Sequence, residues 1–210
     1  MRHNQISRAE SQARAIGMLE MVGIPAERFG EYPFQFSGGM KQRVVIAIAL
    51  SCNPELLLAD EPTTALDVTV QAQVLDMINH LKEQLGTSMI LITHDLGVVA
   101  EMCDYVCVVY AGEIIESGPV AELFDHPVHP YTLGLFGALP EMAQNASRLH
   151  PIDGLPPDPS DLPTGCTFSP RCPKAAARCR EEEPGTYPAG PEHGCKCFLC
   201  TNAHREEDEG

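Results

Sequence analysis

The sequence predicts an α/β protein built on a parallel sheet, followed by a smaller appended module. Two short, unbroken apolar runs, "LLLAD" (56 to 60) and "MILITHD" (89 to 95), each end in charged residues, as buried parallel strands do when their C-terminal ends line a site. Between them Val70, Val74, Ile78, Leu81 and Leu85 keep helical spacing up to Gly86. A strand-helix-strand order implies a right-handed crossover in one parallel sheet. After residue 118 the texture changes to proline- and cysteine-rich sequence, which sets the boundary between residues 1–118 and an extension, 119–210.

The remaining elements follow in order. Residues 7 to 23, "SRAESQARAIGMLEMVG", open with Ser7 and Glu10 at capping-box spacing and put Ala9, Ala13, Ile16, Leu19 and Val22 on one helical face, with Gly23 as the stop. A polar, proline-marked loop leads to Ser37 and the apolar helix "SGGMKQRVVIAIAL", which ends near "SCNP" because Pro54 cannot continue it. A helix start leaves backbone N–H groups unpaired and carries partial positive charge, and glycines there let an anion approach the bare backbone. Ser37, Gly38 and Gly39 therefore read as an anion seat. "DYVCVVYAGEIIESG" (104 to 118) predicts two strands turning at Ala111-Gly112, and the final "REEDEG" reads as a solvated acidic tail.

Composition narrows the function classes. The 210 residues are 44% hydrophobic, enough for a real core. Fourteen basic against 29 acidic residues give a net charge of −15, and with no basic patch to offset it nucleic acid is not an expected partner. No apolar run approaches the length of a membrane span, and no apolar leader opens the chain, so the expectation is a cytosolic protein whose nine cysteines are reduced thiols or metal ligands.

The chemistry gathers at the strand ends. Asp60 and Glu61 stand where the first apolar run stops; of two such carboxylates one can hold Mg²⁺ through water while the other orients or deprotonates an attacking water. The second run ends at Thr93, His94 and Asp95, and neighbouring parallel strands present their C-terminal ends on the same side. His94 can thus reach a phosphate served by Asp60 and Glu61.

Together these stretches resemble the nucleotide-binding subunit of an ABC transporter. "FSGGMKQR" is similar to the signature, "LLLADEP" to the Walker B strand, "TTALD" to the D-loop and "ITHD" to the switch histidine, although the commonest signature has Leu and Gln where this chain has Phe36 and Met40. The resemblance implies a partial P-loop ATPase domain using ATP and Mg²⁺, with Asp60 holding the metal, Glu61 as catalytic base, His94 on the γ-phosphate and Asp67 in the dimer-facing D-loop. Ser37, Gly38 and Gly39 would hold the γ-phosphate of a nucleotide bound by a second ATPase subunit. The segments "DEPTTALDVTVQAQVL", "HPVHPYTLGLFGALP" and "GCTFSPRCPKAAARC" narrow it to the oligopeptide and dipeptide permeases. That subfamily implies peptide import at the cytoplasmic membrane face, with two transmembrane permease subunits and, indirectly, an extracellular solute-binding protein. Uptake of nickel or another small solute is the alternative.

The phosphate loop Gly-x-x-x-x-Gly-Lys-Ser/Thr occurs nowhere in the 210 residues, and neither does the glutamine loop. The family's order puts both before the signature, so the expectation is a truncation or internal start at Met1 and a chain inactive alone. A non-catalytic partner donating its signature helix is the competing reading. In the extension, Cys166, Cys172 and Cys179 are too widely spaced for ordinary zinc pairs, whereas Cys197 and Cys200 would supply half a site. Certain permease ATPases carry a [4Fe–4S] cluster on such cysteines, which implies Cys166, Cys172, Cys179 and Cys197 as ligands, with Cys195 and Cys200 as extras; zinc or unliganded thiols are the alternatives. Cys52, Cys103 and Cys107, in apolar stretches, read as small core residues.

Overall fold

The computed structural model describes residues 6–64, 66–138 and 152–201, so the acidic tail and Ala65 of the "TTALD" stretch lie outside the described residues. The chain forms two compact units, Met1–Met102 and Cys103–Gly210.

The first unit begins with α1 (Arg8–Met21), whose N-cap Ser7 accepts a hydrogen bond from the Glu10 N–H. Only half of the expected capping box forms, because the Glu10 carboxylate binds Arg14 one turn on. Gly23, at φ +75°, turns the chain, and Val22 and Ile24 enter the core. Two short 3₁₀ turns lead to α2 (Gly38–Leu50), which buries Ile46, Ala47 and Leu50. Strand β1 (Leu56–Asp60) pairs in parallel with β2 (Ser88–Ile92), and α3 (Val68–Leu85) makes the crossover, burying Val74, Leu75, Ile78 and Leu81 before Gly86 closes it in the left-handed region. Helix α4 (Leu96–Met102) completes the unit.

The apolar strands were expected to be covered on both faces. Instead Leu56, Leu58, Ile90 and Ile92 are 49–66% exposed on one face of the two-stranded sheet. Strand residues two apart share a face, and this unit supplies cover for only the other one.

The second unit is an antiparallel sheet in the order β3-β4-β6-β5. Strands β3 (Tyr105–Tyr110) and β4 (Glu113–Pro119) form the expected hairpin, with Ala111 and Gly112 both at positive φ, the backbone of a tight turn that matches strand twist. Helices α5 (Val120–Asp125) and α6 (Pro130–Gly137) follow, then α7 (Ala177–Glu181), β5 (Tyr187–Gly190) and β6 (His193–Cys195). Because β4 pairs with β6, the hairpin belongs to this unit, and the compositional change near 118 falls inside it. Tyr110, Tyr131 and Phe168 pack together in tilted and edge-to-face contacts, with ring centroids 4.7–5.5 Å apart. No helix among the described residues is long and apolar enough to cross a membrane.

Candidate functional site

The β1–β2 register pairs Leu56 with Ser88 and Asp60 with Ile92, so both strands release their chains at the same edge. Immediately after β1, Glu61 adopts φ +46°, a left-handed backbone costly for a side chain of this kind. Its N–H donates to the Ile92 carbonyl at 2.9 Å, which anchors the bend on the neighbouring strand. The bend brings Glu61 Oε1 to 2.8 Å from His94 Nδ1, while the Thr64 hydroxyl donates to Glu61 Oε2 at 2.6 Å.

The electrostatics follow from these contacts. The Thr64 hydrogen bond, then the His94 contact, hold the Glu61 carboxyl below the usual carboxylate range. Glu61 in turn raises His94 above the ordinary imidazole value. Both side chains stay open to solvent, at 38% and 76% exposure. Asp60 is exposed at the end of β1, and its carboxylate has no hydrogen-bond or ion partner among the described residues.

The anion seat is built differently from its sequence reading. Ser37 caps α2, its hydroxyl accepting from the Met40 N–H at 3.3 Å. The amides of Gly38 and Gly39 are among those a helix leaves without an intrahelical acceptor. The glycines divide the work, however. A Cβ on Gly38 would meet only Leu66 Cδ2 at 3.7 Å, but one on Gly39 would lie 2.5 Å from Val70 Cγ1. Gly38 leaves the backbone approachable; Gly39 lets α2 and α3 close together. Asp67 caps α3, its Oδ1 accepting from the Val70 N–H at 3.0 Å. No hydrogen bond or ion pair among the described residues joins Ser37, Gly38 or Gly39 to Glu61 or His94.

Two supports escaped the sequence reading. One is Thr64, whose position three residues after Glu61 in a tight turn was the available signal. The other is Asp95, which caps α4 through the N–H groups of Gly97 and Val98 and accepts from Gln71 Nε2 at 3.1 Å, tying the His94 loop to α3.

In the second unit Cys166, Cys172, Cys179 and Cys197 line one cavity of about 190 Å³ with His129 and Phe168. Among the described residues no three Cys, His, Asp or Glu side chains are gathered closely enough to share a single metal ion. Gly165 sits where a Cβ would lie 2.5 Å from the Cys179 carbonyl oxygen, and the Cys166 N–H donates to that same carbonyl at 2.8 Å.

Beside the cavity, Cys195 and Cys200 are buried at 0% and 1% exposure, and the thiols of Cys195, Cys197 and Cys200 lie close enough to shift one another's titration. The Cys195 and Cys200 thiols push the Cys197 thiol strongly down, and Cys197 with Cys200 pushes Cys195 up. Cys52 and Cys107 are exposed rather than core, Cys52 in the turn after α2 and Cys107 on the outward side of β3.

One buried carboxylate organises the surroundings of the cavity. Glu116, 1% exposed, accepts from the Val128 N–H at 2.7 Å, the His129 N–H at 3.1 Å and His193 Nε2 at 2.9 Å. Burial pushes the His129 imidazole down, with Cys197 and Glu116 opposing.

The family model for ABC transporters matches residues 1–64, and the model for the oligopeptide/dipeptide transporter C-terminal region matches residues 115–179. The chain is 48% identical over 201 residues to the dipeptide transport ATP-binding protein DppD of Bacillus subtilis (strain 168), covering 95% of this chain and 60% of that protein. It is 49% identical over 199 residues to the oligopeptide transport ATP-binding protein AppD of the same organism, covering 94% and 61%. The chain thus spans about 60% of the length of these curated relatives. Among solved structures it is similar to cbiO1 from Clostridium perfringens, part of the ABC transporter complex cbiONQ, with TM-score 0.52 and 31% identity over 59% of this chain and 49% of that one. It also shares the fold of MJ1267, an ATP-binding cassette of an ABC transporter, with TM-score 0.53 at 22% identity over 64% of this chain and 53% of that one. The sheet is therefore that of a partial ABC ATPase domain. Relatives at this identity across nearly the whole chain, and family models that match residues 1–64 and 115–179, agree on one assignment: the chain belongs to the ATP-binding proteins of ABC transporters, of the oligopeptide/dipeptide permease type.

Proposed function

We propose that this chain supplies the signature, Walker B, D-loop and switch-histidine elements of an ATP-hydrolysing subunit that drives peptide import. The observation that carries the proposal is the Glu61–His94 contact of 2.8 Å, with Thr64 on the second Glu61 oxygen, beside an exposed Asp60 at the end of a parallel strand pair. Residues 1–118 provide the nucleotide-facing part and 119–210 the extension, although β3 and β4 pack with the latter.

In this reading Asp60 holds Mg²⁺ through water, which offsets phosphate charge. Glu61, kept ionised, takes the proton from the water that attacks the γ-phosphate. His94, bound to Glu61 through Nδ1, has Nε2 left to meet a γ-phosphate oxygen and fixes the carboxylate's direction. Asp67 starts α3 at the face turned to a second ATPase subunit. Ser37, Gly38 and Gly39 offer helix-start amides to the nucleotide of that subunit. Two transmembrane permease subunits, and through them an extracellular solute-binding protein, complete the importer at the cytoplasmic membrane face. Import of nickel or another small solute is separated from peptide import by which solute stimulates turnover in the assembled complex.

The alternative reading is that the chain by itself donates its signature helix to another ATPase subunit. The test is ATP turnover. The purified chain alone gives negligible magnesium-dependent hydrolysis; mixed with a family subunit that has its phosphate loop but a disabled signature serine, it restores turnover, and Ser37→Arg abolishes the rescue. Hydrolysis by the chain alone overturns this division of labour.

The proposal extends to the cavity, where Cys166, Cys172, Cys179 and Cys197 would hold a [4Fe–4S] cluster, which would cross-link the segments that carry them and could store one electron. Iron with acid-labile sulfide in anaerobically purified protein supports it. Stoichiometric zinc in a colourless preparation rejects it.

A further inference from the structure

The thiols that the cavity does not use stand beside one that it does. Cys197 lines the cavity and is half-buried, whereas Cys195 and Cys200 lie behind it in the protein interior. The backbone from Cys197 runs straight into a 3₁₀ turn, Phe198–Thr201, and the Cys200 N–H donates to the Cys197 carbonyl at 3.1 Å. In such a turn side chains three residues apart eclipse, and a rise of about 2.0 Å per residue sets their Cα atoms about 6 Å apart. That is inside the roughly 4.4–6.8 Å range over which a disulfide forms without backbone movement. Cys195 is the last residue of β6, on the far side of Lys196 from that turn.

We propose that Cys197 and Cys200 are a peroxide-sensitive dithiol, and that their disulfide withdraws Cys197 from the cavity shared with Cys166, Cys172 and Cys179. This goes beyond the ATPase reading; only its consequence for the cavity, not the disulfide itself, rests on the proposed cluster. Exposure assigns the order of events. Cys197 meets the oxidant first, since Cys200 is 1% exposed. The Cys197 sulfur attacks one oxygen of hydrogen peroxide: an S–O bond forms, the O–O bond breaks, and the thiol proton leaves with the departing oxygen as water. The Cys200 sulfur then attacks the sulfenic sulfur; the S–S bond forms, the S–O bond breaks, and a second water leaves. Two thiols and one peroxide give one disulfide and two waters.

The sequence provides a clean readout. Trypsin cuts after Arg180, Lys196 and Arg205, so residues 181–196 carry Cys195 and residues 197–205 carry Cys197 with Cys200. The full chain, purified anaerobically, is treated with one equivalent of hydrogen peroxide, blocked with N-ethylmaleimide, digested and weighed. The expected result is a 197–205 peptide lighter by two hydrogens and unalkylated, with 181–196 alkylated at Cys195, reversed by dithiothreitol. Cys200→Ser leaves Cys197 as a sulfenic acid that dimedone traps, and Cys195→Ala leaves the disulfide intact. A cross-link between the two peptides, or a doubly alkylated 197–205 peptide at that dose, overturns the proposal. Iron and sulfide measured on the same sample report on the cluster separately, and ATP turnover reports on the ATPase reading.

Discussion

Gly39→Ala tests whether the second signature glycine serves packing. The added Cβ would lie 2.5 Å from Val70 Cγ1, roughly 1 Å inside the ~3.5 Å at which carbon atoms touch. Val70 cannot swing aside cheaply, because a valine in a helix has one strongly preferred χ1 rotamer. Overpacking of this kind costs about 1–3 kcal/mol, against which replacing a helical glycine by alanine returns about 0.5–1 kcal/mol. The substitution therefore destabilises by about 0.5–2 kcal/mol in urea unfolding followed by far-UV circular dichroism. Val70→Ala removes the atom in the way, so the double variant is more stable than the sum of the single effects by about 1–3 kcal/mol. If Gly39→Ala is as stable as the parent, or the two changes add within about 0.5 kcal/mol, the close approach of α2 and α3 is not what requires this glycine. Gly38→Ala, facing only Leu66 at 3.7 Å, is the matched control and costs less.

Three further outcomes are expected. His94, held up by Glu61, keeps its share of the attraction below the ordinary imidazole value and loses it as pH rises through the raised one; Glu61, held down by Thr64 and then His94, keeps its share above the ordinary carboxylate value and loses it as pH falls through the lowered one. The pair is intact between those two shifted values, and Glu61→Gln moves the His94 midpoint down toward ordinary in an NMR titration; an unmoved midpoint refutes the contact. Glu116→Ala leaves His193 and two backbone N–H groups buried without their acceptor and costs about 3–5 kcal/mol in the second unit, read by hydrogen exchange of the Val128 and His129 amides. Asp95→Ala removes the α4 cap and the Gln71 tie, lowering stability by about 0.5–2 kcal/mol, while Asp95→Asn recovers most of it; equal losses in both variants refute the cap.

The parts of the fold that could be read from the sequence are those with local or periodic causes. Helix α3 declared itself through Val74, Ile78 and Leu81 and its closing Gly86, and the parallel pairing of β1 with β2 followed from the strand-helix-strand order. The bend at Glu61 was not legible, because a left-handed glutamate is imposed by the neighbouring strand's carbonyl at Ile92, not by its own propensity. Nor was the order β3-β4-β6-β5, since β6 has three residues and pairs with β4 across most of the extension. Glu116 gave no signal at all: one carboxylate in a strand finds its partners only when distant chain arrives. Cys52 and Cys107 were misread because an apolar neighbourhood in sequence does not say which face of a turn or strand a side chain takes.

The Glu116–His193 link spans 77 positions, and that separation sets an order of assembly. As the chain is synthesised, Glu116 and the amides of residues 128 and 129 emerge long before His193, and a loop of that length must close before the carboxylate is sealed. Cys166, Cys172 and Cys179 all appear in that interval; Cys197 follows His193 by four residues. Three thiols are thus presented before Cys197, Phe198 and Leu199, which line the same cavity, have emerged. The cavity's full set of four thiols exists only once the growing chain has passed residue 197.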